Sequence, residues 1–413
     1  MLVWLLKHGE TLPVQDDVPK MRSWNLSESL VNSGHEVIWW CSTFSHQKKK
    51  LLYKENKTIK INNNFYLNLI NAGSYKKNLS LKRIFHHLIM AYKFRNWSKK
   101  SKKPDIIVCS YPLIELAEEA VRFSKKNNIP LILDVRDQWP ETFLLVAPKF
   151  LRPIVYIYTF YLKKRVKYIF NNAYRLSSMS LGCLKWAESF LDYRKVNNKV
   201  FYIGFKKREI YTNKLNDNFI SKLKQKLIKK KIFVYAGTIG SFYDLETIIS
   251  VASLCQHNNL KNFSFVIAGA GDNLNYLKNK SKNLPNVIFT GWLNTHQIHQ
   301  LLGFSHVGLL PYKDFGAGTF PNKPAEYFYY GLPVISTING EIEDLINEYE
   351  IGINVPYKDT HQFYRAVNKI GNNPELLKKY SNNAKKMHKI KFDANKIYAD
   401  FVKYIEETRK KYV

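Results

Sequence analysis

Five short apolar runs punctuate the second half of this chain: I-F-V-Y-A-G (232–237), S-F-V-I-A-G (264–269), N-V-I-F-T-G (286–291), H-V-G-L-L-P (306–311) and L-P-V-I-S (332–336). Three end in a glycine, the fourth carries Gly308 within it, and the fifth follows one. Runs this short, separated by stretches of helical length, read as buried strands. Apolar strands alternating with helices specify a parallel sheet covered on both faces. Glycines at its carboxyl edge mark where a ligand can approach the backbone. The first half keeps the same rhythm, with strands expected at 3–6, 36–41, 106–109, 131–135 and 199–203. Helices are expected at 20–32 (stopped by Gly34), 113–127 and 153–172. The pattern lapses over the Lys-rich segment 205–231, and about 372–413 reads as polar and helical. The expectation is α/β, two doubly wound domains with a cleft between them, divided as 1–210, 211–392 and a last helix at 393–413.

At 413 residues and 45% hydrophobic content the chain can bury more than one core, which excludes intrinsic disorder. Charge is its most unusual property, with 64 Lys and Arg against 33 Asp and Glu, a net +31. Residues 1–210 hold 37 basic and 16 acidic side chains, and 37 − 16 places +21 there. Such a field favours nucleic acid, an anionic membrane or phosphate-bearing substrates, although many lysines of a Lys-, Asn- and Ile-rich chain are simply solvated. Cys41, Cys109, Cys183 and Cys255 are far apart. They suit a reducing compartment rather than a zinc or disulfide framework. No apolar run reaches the roughly 18 residues of a membrane span, and residues 1–7 read as a buried strand rather than a signal peptide. A cytoplasmic protein is expected.

Three segments carry candidate chemistry. In G-A-G-T-F-P-N-K-P-A-E-Y-F-Y-Y-G-L-P-V-I (316–335), Gly316 and Gly318 permit a tight loop. Thr319 suits a cap for a helix starting near Pro321. Backbone amides there, with Lys323, suit a diphosphate, and Glu326 can accept hydrogen bonds from a vicinal diol such as ribose. In I-P-L-I-L-D-V-R-D-Q-W-P-E (129–141), a buried strand ends in Asp134, Arg136, Asp137 and Glu141 with Trp139. Buried charges of this kind must pair or bind something. Arg136 and Asp134 suit an ion pair, and Asp137 suits the cleft. In K-H-G-E-T-L-P-V-Q-D-D-V-P-K-M-R (7–22), Gly9 follows the first strand and Arg22 opens the next helix. The G-A-G-D at 269–272 is a weaker signal. Each segment also has a plain reading as a capped helix, a salt-bridged turn or a loop. Segments 81–103 and 151–170 mix apolar, aromatic and basic residues as interfacial helices do, but packing on the sheet explains them as well. His86, His87, His296 and His299 lack a partner set for a metal and read as surface histidines.

Taken together, these residues resemble the family 4 glycosyltransferases of the GT-B fold, over nearly the whole chain. The matching pieces are S-G-H-E-V (33–37), D-V-R-D-Q-W-P-E, S-S-M-S-L-G (177–182), V-Y-A-G-T-I-G (234–240), V-I-A-G-A-G-D (266–272), N-V-I-F-T-G and P-N-K-P-A-E-Y-F-Y-Y-G-L-P-V-I. H-G-E-T-L-P and E-V-I-W-W-C-S-T-F look like the bacterial branch that builds surface polysaccharide on lipid carriers. The resemblance implies two Rossmann-like domains facing across a cleft, with a C-terminal helix crossing back to the first. It also implies a retaining, metal-independent transfer from a nucleotide-diphospho-sugar, with no separate cofactor. The acceptor would be a lipid-linked glycan at the inner-leaflet membrane surface, and no nucleic acid is expected. Carried onto this chain, the catalytic positions are Asp137, Arg136 and Lys323. Donor-binding positions are Glu326, Gly237, Thr238, Gly240, Gly318, Thr319, Asn322, Gly269 and Gly9, and acceptor-binding positions are Arg22 and Trp139.

The chain departs from that pattern at three places. Gly318 stands where many members have a first glutamate, Arg136 stands where many have His, and Thr238 and Tyr243 stand where an Arg and a Lys often grip phosphate. Two other readings stay open. The same fold hosts sugar-nucleotide 2-epimerases, and a non-catalytic protein binding polyanions or membranes would also carry this charge.

Overall fold

The computed structural model describes residues 1–15, 18–77, 80–141, 143–144, 147–193, 197–207, 218–313 and 320–412. The chain divides into two units, Met1–Ile203 with Ala394–Val413, and Gly204–Asp393. The expected junction at 210/211 lies outside the described residues.

The first unit is built on an eight-stranded sheet. Its spatial order is Lys199–Val200, Arg175–Ser178, Leu131–Val135, Ile106–Tyr111, Leu2–Leu6, Glu36–Ser42, Phe65–Ile70 and Lys57–Asn62. Neighbours run parallel except the last pair, where Lys57–Asn62 is antiparallel to Phe65–Ile70. Every residue of Leu2–Leu6 is buried, because helices cover both faces and strand side chains alternate between them. Trp4 and Leu6 join Trp40, Met90, Phe94 and Leu162 under helices Leu81–Ser98, Ile114–Asn127 and Arg152–Asn172. Val3, Leu5 and Trp39 face Leu26 and Leu30 of helix Arg22–Asn32, and Phe401 and Tyr404 of helix Ala394–Tyr412. Each such side chain contributes roughly 1.5–3 kcal/mol by leaving water. The last helix is thus amphipathic and part of this unit. Phe401 stacks on Phe201 at 4.3 Å, and the Tyr404 hydroxyl donates to the Leu176 carbonyl at 3.0 Å.

Two helices of this unit leave large apolar side chains in water. Helix Leu81–Ser98 buries His86, His87, Met90, Ala91 and Phe94, while Leu81, Ile84, Phe85, Leu88 and Tyr92 are exposed. Helix Arg152–Asn172 buries Leu162, Val166, Ile169 and Phe170 in its second half. Around and within its first half Phe150, Ile154, Tyr156, Ile157, Phe160 and Tyr161 are all exposed, Phe150 at 78% and Ile157 at 71%. Packing on the sheet therefore accounts for only part of either helix. No helix among the described residues is long and apolar enough to cross a membrane.

The second unit has six parallel strands in the order Val287–Gly291, Phe263–Ala268, Lys231–Ala236, Val307–Leu310, Val334–Ser336 and Gly352–Asn354. Phe233, Phe265, Ile267 and Leu309 pack with Ile248, Val251 and Val367 from its helices. In each unit the first strand sits inside the sheet and later strands flank it on both sides. Loops leaving the carboxyl ends at such a reversal diverge and open a crevice. The crevice lies between Leu2–Leu6 and Ile106–Tyr111 in one unit, and between Lys231–Ala236 and Val307–Leu310 in the other.

Candidate active site

In the first unit that crevice is a cavity of about 160 Å³. Lys7, His8 and Gly9 enter it from the end of the first strand, Ser110 from the end of Ile106–Tyr111, and Asp137 and Trp139 from beyond Leu131–Val135. Arg83 and His87 reach it from helix Leu81–Ser98, and His46 completes the wall. Gly9 has φ +83°, a backbone state that side-chain-bearing residues rarely adopt. The Asp137 residue is exposed in area yet ringed by protein. Crowding raises its carboxyl above the usual range, against the pull of Lys7, Arg136 and Arg83. Burial lowers the Lys7 ammonium to about 8, helped by Arg136 and opposed by Glu10 and Asp137.

The histidines are a correction to the sequence reading, which placed His86 and His87 on the surface. Both are buried, at 1% and 7% exposure. The helix carries apolar side chains on both sides, and His86 and His87 are buried on the same side as Met90, Ala91 and Phe94. His86 Nδ1 lies 3.1 Å from the Gly73 carbonyl, and its Nε2 lies 3.1 Å from His8 Nε2. A carbonyl only accepts, so His86 Nδ1 carries the proton and its Nε2 accepts from His8 Nε2–H. That leaves His8 Nδ1 as an acceptor. Burial first, and neighbouring cations and imidazoles second, push His46 down to about 4 and His87 to about 3, so the cluster is neutral at pH 7. Among the described residues no three His, Cys, Asp or Glu side chains are arranged to hold a metal.

Behind the cavity wall lies a buried ionic network. Asp134 takes both nitrogens of an Arg22 fork at 3.0 and 2.9 Å, Arg136 Nε at 2.8 Å and the Ser177 hydroxyl at 3.0 Å. Burial alone would raise the Asp134 carboxyl, but the two guanidiniums hold it well below the usual range. Arg136 also pairs with Glu10 and donates to Ser23 at 3.1 Å. Arg22 donates in addition to the Phe201 carbonyl, 2.5 Å away, and its guanidinium lies 5.2 Å from the Phe401 ring centre. Arg22 and Arg136 thus hold the strand ends together, and of the residues expected here it is Asp137, Trp139 and Gly9 that line the cavity.

In the second unit the crevice centres on Lys323, the first residue of helix Lys323–Tyr329. Its Nζ lies 4.4, 5.2 and 5.4 Å from the ring centres of Tyr243, Tyr235 and Tyr312 and 3.4 Å from the Tyr312 hydroxyl. Gly237 makes this possible, because a Cβ there would collide with the end of the Lys323 side chain. A Cβ on Gly269 would strike the Gly237 carbonyl oxygen, so these glycines let two loops and a lysine share one small space. Burial lowers Lys323 to about 8 and raises Glu326, one turn on, to about 7, each moderated by the other's charge. Tyr235 donates to the Thr238 carbonyl at 2.6 Å, and the Tyr327 hydroxyl accepts from Ala236 N–H at 3.0 Å. Thr238 and Asn322 are exposed and Gly240 is partly so. The helix starts two residues later than expected, with Asn322 as its N-cap, and Gly318 and Thr319 lie outside the described residues. The sequence reading missed the tyrosines and the histidine-lined wall. Their signal was faint, though Lys7-His8 directly follows a strand and Tyr243 replaces an expected cation.

Residues 217–387, nearly all of the second unit, match the family model for glycosyl transferases group 1. No curated protein matches the chain in sequence. Among solved structures, HepE from Anabaena in complex with UDP is similar at 14% identity and TM-score 0.66, over 98% of this chain and 99% of that one. WaaG, a glycosyltransferase involved in lipopolysaccharide biosynthesis, is similar at 14% identity and TM-score 0.64, over 98% and 99%. An E. coli trehalose-6-phosphate structure bound with UDP-2-fluoro glucose is similar at 11% identity and TM-score 0.70, over 98% and 99%. The resemblance read in the sequence therefore holds: residues 217–387 form a group 1 glycosyltransferase domain, in a chain whose overall fold is that of the GT-B glycosyltransferases.

Proposed function

We propose that this protein transfers a sugar from a nucleotide-diphospho-sugar to a lipid-linked glycan acceptor in surface polysaccharide synthesis. The observation that carries the reading is the Lys323–Glu326 pair at the crevice of the family-matched unit. Lys323 is the cation there that meets the donor's diphosphate, and Glu326 takes the ribose hydroxyls. In the transfer the bond from the sugar's anomeric carbon to the diphosphate oxygen breaks, and the nucleoside diphosphate departs with the electron pair. The acceptor hydroxyl oxygen bonds to that carbon and its proton passes to the departing phosphate. Lys323 offsets the charge that develops on the leaving group. Retention of configuration and independence of added metal are part of the proposal. Since HepE is known bound to UDP-glucose, UDP-sugars are the first donors to test.

The exposed ridge of helices Leu81–Ser98 and Arg152–Asn172 supports a membrane surface as the working site. Both helices pack against Ile114–Asn127, and both mix exposed apolar side chains with exposed Lys82, Arg152, Lys164 and Lys167. That is the composition of an interfacial element on anionic lipid. The test is transfer of labelled sugar from a panel of UDP-, GDP- and ADP-sugars to lipid extracts, with chelator and then with magnesium. Product from one donor, lost in Glu326→Ala, supports the reading; no product and no nucleotide binding would remove it.

A further inference from the structure

The Lys323 ammonium of the second unit sits in a box of aromatic rings. Its Nζ lies over Tyr243, Tyr235 and Tyr312, with ring centres at 4.4, 5.2 and 5.4 Å, and touches the Tyr312 hydroxyl at 3.4 Å. The rings come from both sides of the crevice: Tyr235 from strand Lys231–Ala236, Tyr243 from the loop after it, and Tyr312 from just beyond strand Val307–Leu310. Each ring is itself held. The Tyr235 hydroxyl donates to the Thr238 carbonyl at 2.6 Å, and the Tyr312 carbonyl accepts from the Thr337 hydroxyl at 2.6 Å. Tyr243 and Tyr312 form an antiparallel bridge, and their rings meet edge to face at 4.9 Å. Gly237 closes the remaining wall, because a Cβ there would collide with Lys323 Cε and Nζ.

An ammonium drawn out of water needs something to replace its hydration. Among the described residues the charge that acts on it is Glu326, on its own helix, and burial holds that carboxyl up to about 7. A carboxylate pressed against Nζ would cancel its charge and occupy its N–H donors before a phosphate arrived. Ring faces do neither: they attract a cation through their quadrupole and carry no net charge of their own. We propose that Tyr235, Tyr243 and Tyr312 are positioning residues, which hold Lys323 charged and fixed for the diphosphate of a nucleotide and whose box admits an ammonium and rejects a guanidinium. This rests on the transferase reading above and adds to it the residues that make Lys323 effective. The planar, branched head of an arginine has no room beside Gly237 and could not sit within all three rings.

The experiment has two readouts on the full chain. One is calorimetric binding of UDP, GDP and ADP across the pH range around the Lys323 titration. The other, without ligand, is the pH midpoint at which acetic anhydride labels Lys323, read by peptide mass. Tyr243→Leu keeps apolar bulk and removes one ring face. The labelling midpoint should then fall by about half a unit to one unit. Nucleotide binding should weaken about fivefold near pH 8, with little loss near pH 6.5, where Lys323 is charged in both proteins. Tyr243→Phe should restore both readings, and Lys323→Arg should weaken binding about tenfold or more although it keeps the charge. In the Lys323→Met background, Tyr243→Leu should add nothing. Tyr312→Leu gives the same readings and stands in if Tyr243→Leu misfolds. An unmoved midpoint, a loss of binding equal at every pH, or an arginine that serves as well as the lysine overturns the proposal and leaves the transferase reading intact. Absence of nucleotide binding by the wild-type chain instead removes the transferase reading, and with it the role assigned to the three rings.

Discussion

Replacing Lys323 with Met should make the free protein more stable and its donor binding weaker. Met keeps an unbranched stem among Tyr235, Tyr243 and Tyr312 and removes only the charge. Lowering the ammonium from 10.5 to about 8 corresponds to roughly 3 kcal/mol of penalty on its charged form. Discounted for partial exposure, about 2 kcal/mol should return on substitution. For a domain of this size that is a rise in Tm of roughly 4–8 °C. Glu326 loses its cation, but a carboxyl already near pH 7 takes a proton at little expense. Losing a charged contact to diphosphate should weaken nucleotide binding by about 1.5–3 kcal/mol, roughly 10- to 150-fold. Thermal unfolding without ligand and calorimetric titration with the best nucleoside diphosphate measure both effects. A Tm that falls by several degrees, with binding unchanged, would make Lys323 a structural residue and refute the argument.

Further expectations follow from the same geometry. Nucleotide affinity should peak between about pH 7 and 8, because binding needs Glu326 ionised and Lys323 protonated and the pair titrates near those values; a flat profile from pH 6 to 9 would contradict this. The sign for stability is the opposite of a salt bridge. The fold favours neutral Glu326, so its contribution is full below pH 4.5 and lost as pH rises through about 7, while that of neutral Lys323 grows from about 8 to 10.5. Arg22→Met should destabilise by about 3–5 kcal/mol in denaturant titrations, since it leaves Asp134 buried with one cation fewer. Ile157→Ser with Phe160→Ser should weaken binding to anionic vesicles at least tenfold with little change in Tm; equal binding would show that the ridge does not touch lipid.

The buried strands of both units were legible because a strand buried on both faces is mostly apolar, as in Leu2–Leu6 and Val307–Leu310. Arg175–Ser178 was not, since R-L-S-S reads as a loop. It becomes a buried strand only because Ser177 reaches Asp134 at 3.0 Å and Arg175 reaches Thr408 at 2.9 Å, partners far away in sequence. Strand Phe65–Ile70 and its antiparallel neighbour were likewise missed. In the site, Glu326, Lys323 and Asp137 could be named from spacing alone. The Arg136–Asp134 pair was expected as well, but the part Arg22 plays in it was not, because spacing does not reveal how many partners a guanidinium meets. Helix Leu81–Ser98 has apolar side chains both on its buried side (Met90, Ala91, Phe94) and in the open (Leu81, Phe85, Leu88), so periodicity could not show that His86 and His87 turn inward.

The central claim is that the second unit holds a nucleotide-diphospho-sugar at Lys323 and Glu326. Calorimetric titration of the full chain with UDP, GDP and ADP, repeated on Glu326→Ala and Lys323→Met, tests it most directly. The account predicts saturable binding of one nucleotide that both substitutions weaken at least tenfold. Binding that neither substitution changes, or no binding of any nucleotide, would contradict it.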